Sequence, residues 1–162
     1  MTVLSVSSNA RDRKISDWYE RIRTGQLRLP RFQRFEAWDR GRVVGLLNTI
    51  IQNLPVGVTL ILEVGDKEKF KSRAVATAPE SNARVTEHLL DGQQRLTALW
   101  RALHNNYEGE TYFIYVPDLD ETEDDGRDSD ELCVEFQGRW SHNGKARPVW
   151  ADVPRKCLER GL

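Results

Sequence analysis

Apolar residues Val43, Leu47, Ile50 and Leu54 recur at i, i+4, i+7 and i+11. Val44 and Ile51 widen the stripe, which predicts a helix over 40–53 with Asp39 as its N-cap. Pro55 and Gly57 close it. A shorter helix is predicted ahead of it, with Ser16 as N-cap, Asp17 in the first turn and Gly25 as the stop. Trp18 and Ile22 would be its buried pair. Residues 26–39 read as an extended or irregular arm around Pro30. Leu96, Leu99, Trp100 and Leu103 at i, i+3, i+4 and i+7 mark a third helix over 94–105, entered through the turn Asp91-Gly92-Gln93.

The segments between have strand character. Val58 to Val64 is a nearly continuous apolar run and predicts a buried strand. Residues 65–84 are polar and read as a long loop. Val85 to Leu90, Thr111 to Val116 and Leu132 to Phe136 are β-like, with Val149-Trp150 as a pairing partner for the last. Asn143-Gly144 favours a two-residue hairpin turn. Strands interleaved with helices predict an α+β domain over 15–162, after a flexible N-terminus of residues 1–14.

Length and composition narrow this picture. A chain of 162 residues can hide roughly 68–70% of its unfolded surface, so it needs no disulfide or metal staple. Charged residues make up 30% and the mean hydropathy is −0.61. No apolar run approaches the roughly 18 residues of a membrane span. No signal peptide is visible, and Cys133 and Cys157 do not have metal-ligand spacing, so a cytoplasmic protein without membrane contact is expected.

The net charge of −1 hides an asymmetry. Residues 118–131 hold nine acids and one base, predicting an acidic loop that screens a mildly basic body from non-specific DNA. That loop does not fit a calcium site, because Leu132 falls where the bidentate Glu is required. The first 42 residues hold ten Lys/Arg against five acids. Such a body can attract phosphates; a merely solvated surface is the alternative.

Common catalytic signatures are absent. There is no Gly-x-x-x-x-Gly-Lys-Ser/Thr loop, no His-Glu-x-x-His and no Gly-x-Ser-x-Gly. His88, His104 and His142 lack ligand spacing and read as surface or partly packed residues, so no metal site is predicted. The informative segment is Asp91-Gly92-Gln93-Gln94-Arg95. Asp91 can cap the helix with Gln94 at N3, as in a capping box. Yet Gly92 weakens a first turn, and Arg95 puts a cation near the positive end of the helix dipole. A bound phosphate would answer both. Gln93 and Gln94 add neutral donors for a base, a ribose or a water. A second segment, Leu29 to Trp38, interleaves Arg31 and Arg34 with Phe32, Phe35 and Trp38. It suits nucleotide stacking, or else its aromatics plug the core.

Together, Pro30-x-x-Gln33-Arg34-(x)₃-Trp38 and the later Asp91-Gly92-Gln93-Gln94-Arg95-Leu96-Thr97 resemble the N-terminal domain of GmrSD-type, modification-dependent restriction proteins. That domain is of the ParB/sulfiredoxin-like superfamily, and the resemblance runs from about Ile15 to Leu103. It implies a small mixed sheet flanked by helices and a pocket that binds and hydrolyses a nucleoside triphosphate, with Mg²⁺, as the regulatory domain of a DNA-defence system. Carried over, Gln33 and Arg34 form the first motif, and Asp91, Gly92, Gln93, Gln94 and Arg95 the second. Arg34 and Arg95 would neutralise phosphoryl charge, and Asp91 would orient water or hold Mg²⁺. Gln stands where sulfiredoxin-like members carry Cys, which excludes a sulfinic-acid reductase. The usual C-terminal nuclease domain is not found in this sequence. A nuclease domain or subunit and DNA are therefore expected partners, unless the domain acts alone. A DNA-binding or nicking module and a protein-interaction scaffold with a decayed pocket are the alternative readings.

Overall fold

The structure is a computed structural model that describes residues 10–116, 132–142 and 145–147. The acidic segment 118–131, the Asn143-Gly144 dipeptide, Val149-Trp150 and Cys157 lie outside the described residues. The elements run α1 (Ile15–Arg23), β1 (Leu27–Pro30), α2 (Arg40–Ile51), β2 (Leu60–Glu63), β3 (Ser72–Arg73) and β4 (Glu87–Asp91). They continue with α3 (Gln93–Leu103), β5 (Glu110–Tyr115), β6 (Cys133–Gly138), β7 (Trp140–His142) and β8 (Lys145–Arg147).

Four strands form one mixed sheet in the order β2-β4-β1-β3. β1 and β4 are parallel, with Leu27 opposite Glu87, while β2 and β3 pair antiparallel at the two edges. β5 and β6 form a separate antiparallel pair, and β7 and β8 another. The fold is α+β.

Alternation along the strands builds the core. Leu27, Leu29 and Leu89 meet Ile22 of α1 and Leu96 and Trp100 of α3. Each fully buried Leu or Ile contributes about 1.5–3 kcal/mol relative to exposure. The Tyr19 hydroxyl donates to the Leu99 carbonyl at 2.9 Å and its ring meets Trp100 edge-on. A second cluster joins Val43, Leu46 and Leu47 of α2 to Ala98 and Leu99 of α3, with Tyr107 and Val134. α3 thus belongs to both clusters, so its N-terminus is held by the two halves of the fold.

The other face of the sheet carries His88, fully buried on the inner strand β4 rather than at the surface or partly packed as expected. Its Nε2 lies 3.1 Å from Glu68 Oε2 and its ring lies against Phe70. Burial alone would raise the Glu68 carboxyl, but the Ser72 hydroxyl, His88 and Arg28 hold it below the usual carboxylate range. Before α1, Arg13 grips the buried Glu87 with two hydrogen bonds of 2.7 and 2.9 Å.

Several boundaries differ from the sequence pattern. α1 starts at Ile15 with Lys14 as N-cap, so Ser16 does not cap it; Gly25 does follow its end, at φ +75°. Asp39 caps α2 as expected, accepting from the Arg42 amide at 2.9 Å. α2 ends at Ile51, ahead of Pro55, because Asn53 turns the chain at φ +55°. Leu54 therefore lies past the helix and is exposed, as is Leu103. The run Val58 to Val64 is not a buried strand. Only Leu60–Glu63 pairs, at the sheet edge, and Val58 is 84% exposed. The long loop 65–84 contains β3 and buries Val75. The arm over 26–39 begins as a buried strand, β1, and becomes irregular only at Arg31.

Candidate functional site

β4 runs out at Asp91, and Gly92 turns the chain straight into α3. Gly92 is the N-cap, at φ +89°, a backbone conformation that side chains with a Cβ rarely adopt. A Cβ there would also stand 3.1 Å from Thr59 Oγ1 and 3.2 Å from Thr59 Cγ2. This corrects the capping box read from the sequence. Asp91 is the last strand residue, its side chain does not cap, and α3 has no side-chain cap at all. The first-turn amides of α3 are thus left for other acceptors.

The arm comes back over this turn. Gln33 donates from Nε2 to the carbonyl oxygens of Leu89 and Leu90, at 2.7 and 2.8 Å. Gln93 is buried and donates to the Arg34 carbonyl at 2.8 Å. Gln94 accepts from the Ala37 amide at 2.9 Å and donates to the Phe35 carbonyl at 3.1 Å. Each glutamine thus spends at least one N–H on backbone carbonyls of the arm or of β4, while the Gln33 Oε1 is buried without a hydrogen-bond partner among the described residues. The glutamines sew the arm to the turn, because neutral amides can satisfy buried backbone groups without burying charge.

Between arm and turn lies a cavity of about 330 Å³. Its walls are Gln33, Arg34 and Trp38 from the arm side and Leu90 to Arg95 from the turn. All six residues that the sequence singled out beside Asp91 meet it: Gln33, Arg34, Gly92, Gln93, Gln94 and Arg95. Two cations flank it. Arg34 makes no side-chain hydrogen bond or ion pair among the described residues. Arg95 turns back toward the loop before β2, where Nη2 donates to the Val58 carbonyl and lies 3.9 Å from Asp91 Oδ2. Gly57 makes room for it, since a Cβ at that position would stand 2.9 Å from Arg95 Nη1.

Neither arginine is a partner for Glu36 or Glu87. Arg101 and Tyr107 hold Glu36, at 2.6 and 3.2 Å, and Arg13 and Arg21 hold Glu87. Sequence reasoning missed Gly57 and Thr59, which back the cavity wall. Gly57 looked only like a helix terminator, and no spacing signals contacts between residues as far apart as Thr59 and Gly92 or Gly57 and Arg95. The aromatics divide: Trp38 packs on the second core cluster, while Phe32 and Phe35 are exposed and plug nothing. Among the described residues no cluster of three or more His, Cys, Asp or Glu could cage a metal. No helix among them is long and apolar enough to cross a membrane.

These features define an α+β domain in which an arginine-bearing arm and an uncapped helix N-terminus enclose one polar cavity. The chain belongs to the family of the GmrSD restriction endonuclease N-terminal domain, whose family model matches residues 15–147. It is similar to the uncharacterized protein MJ0686 of Methanocaldococcus jannaschii, 30% identical over 99 residues. The match covers 57% of this chain and 17% of that protein, so it concerns a small part of a much longer relative. No solved structure matches the chain.

Proposed function

We propose that the cavity binds a nucleoside triphosphate and that the domain hydrolyses it, as the regulatory part of a DNA-defence system. One observation carries this reading: Arg34 and Arg95, from separate elements, line the same cavity at an uncapped helix N-terminus. A triphosphate carries several negative charges, and a single arginine with a few amides would leave it under-neutralised. Two arginines and the first-turn amides of α3 can clamp it from two sides. The absence of a Cβ at Gly92 lets an anion approach the backbone.

For hydrolysis, charge on the transferred phosphoryl oxygens would be met by Arg34 and Arg95, and Asp91 would orient the attacking water. The site fits Mg²⁺ only as an ion brought in by the phosphates. Among the described residues Asp91 is the one carboxylate on the cavity wall, and Mg²⁺ ordinarily takes one or two carboxylates plus phosphates and water. Such an ion would add charge neutralisation on the phosphates.

The test is calorimetric titration of the purified chain with the four ribonucleoside triphosphates, with and without Mg²⁺, followed by phosphate-release assays. Saturable binding of a triphosphate, weakened in Arg34→Ala, supports the reading. No heat from any of the four up to about 1 mM, a binding free energy of only about −4.1 kcal/mol, would exclude it.

A further inference from the structure

Two surface segments meet beside the cavity and are not explained by it. Residues 31–35 of the arm and 67–73 of the loop running into β3 are joined by strand pairing, Pro30 opposite Ser72. The Arg31 amide also donates to the Lys71 carbonyl at 2.9 Å. Leaving aside Arg34, which lines the cavity, these segments carry five cations: Arg31, Lys67, Lys69, Lys71 and Arg73. They carry one acid, Glu68, which is already engaged by Ser72 and His88.

The same patch exposes aromatic rings. Phe32 is 69% and Phe35 76% exposed, and Phe70 is partly so. A folded chain ordinarily hides such rings. Phe32 stands edge-on to Phe70 with centroids 5.4 Å apart, and the Arg73 guanidinium lies 4.7 Å from the Phe35 ring centre. Arg73 also donates to the Arg34 carbonyl at 3.1 Å, which anchors the end of the patch. The rings are therefore placed by neighbours rather than dangling. Phe32 and Phe35 are three residues apart, a span of at most about 11 Å.

We propose that this patch binds an unpaired nucleic-acid strand, with bases stacked on Phe32 and Phe35 and phosphates paired to the lysines and arginines around them. Exposed rings interleaved with cations fit such a strand, because every base offers a π-face and every step a phosphate. A duplex hides its base faces and would use only the cations. An acidic peptide would also use the cations but has no regular supply of flat faces. The proposal uses Phe32, Phe35, Lys69 and Lys71, none of which lines the cavity, so it stands whether or not the cavity takes a nucleotide.

The test is fluorescence-anisotropy titration of the full chain with labelled oligo(dT) and with a labelled mixed-sequence duplex, over a series of salt concentrations. Phe32→Ala and Phe35→Ala are each expected to weaken oligo(dT) binding about tenfold while leaving duplex binding unchanged. Phe35→Leu, which keeps the apolar bulk, is expected to behave like Phe35→Ala. Lys69→Glu with Lys71→Glu is expected to weaken both and to flatten the salt slope for oligo(dT) by about 0.7 for each phosphate no longer neutralised. Both rings are exposed, so melting temperatures of the phenylalanine variants should match the parent, and nucleotide binding at the cavity should be unchanged. Oligo(dT) affinity that is independent of the phenylalanines would overturn the proposal. So would binding of phosphatidylserine vesicles without any binding of oligo(dT).

Discussion

The buried side chain of Gln93 donates to the backbone carbonyl of Arg34 at 2.8 Å, across 59 residues of chain. The helix that offers its amides to the cavity therefore also holds the arm that brings the second arginine. Gln93→Ala removes this bond and leaves the Arg34 carbonyl with only Arg73 as donor. The expected loss is about 0.5–1.5 kcal/mol of stability. Nucleotide affinity should fall several-fold, and urea melts alongside calorimetry on the same protein would check both. An affinity that survives the loss of Gln93 would show that Gln33, Gln94 and Arg73 suffice to hold the arm.

Arg34→Ala and Arg95→Ala are each expected to weaken triphosphate binding about tenfold, an effect of roughly 1.4 kcal/mol. The double variant should fall short of additivity, since both residues meet one ligand. Their effects on the empty protein should differ. Arg34 has no side-chain partner among the described residues, so its loss should leave the melting temperature unchanged. Arg95 holds the Val58 carbonyl, so its loss should lower stability by about 1 kcal/mol. Large destabilisation by both with unaltered affinity would make them structural residues.

Gly92 and Gly57 both adjoin the Arg95 guanidinium, at φ +89° and +91°. Gly92→Ala meets Thr59 as well as an unfavourable backbone conformation, and an expected loss of about 1–2 kcal/mol follows. Gly57→Ala meets only the far end of Arg95, which can swing away. Its stability cost is the backbone term plus the Arg95 bond to the Val58 carbonyl, and because Arg95 is displaced triphosphate affinity should drop. Chemical denaturation and binding measured on both variants would separate the two effects; equal affinity for Gly57→Ala and the parent would show that the position of Arg95 is immaterial.

Glu68 ties the loop that carries Phe70 to the buried His88. Its carboxyl is held below the ordinary carboxylate range, so it contributes stability above that range. The contribution is lost as pH falls through the lowered folded-state value, below about pH 4.5. Because the carboxylate is more than one-third exposed, solvent screening limits the effect to about 1 kcal/mol or less. Thermal melts from pH 7 to 3 should show a steeper acid loss in the parent than in Glu68→Gln, and parallel curves would remove Glu68 from the acid response.

Much of the helical frame is legible in the sequence. Asp39 caps α2, Gly25 follows α1, and Ile22, Val43, Leu47, Leu96 and Trp100 are in the core, because amphipathic spacing and capping are local properties of the chain. The two motifs are legible as well, since an arginine and a glycine at a helix start conflict with helix stability and call for another reason. What local pattern could not decide was which elements neighbour one another. The apolar run from Val58 reads as a buried strand, yet the order β2-β4-β1-β3 leaves β2 at an edge. His88 reads as a surface or partly packed residue until β4 becomes an inner strand of the sheet. The glutamines of the second motif read as ligand donors in sequence, and the fold adds a second task, since each also bonds the backbone of the arm. Arg34 and Arg95 share a cavity only because the tertiary fold returns residues 31–38 to the start of α3. Side-chain spacing encodes faces and ends of elements, whereas contacts across some sixty residues depend on how those faces are packed together.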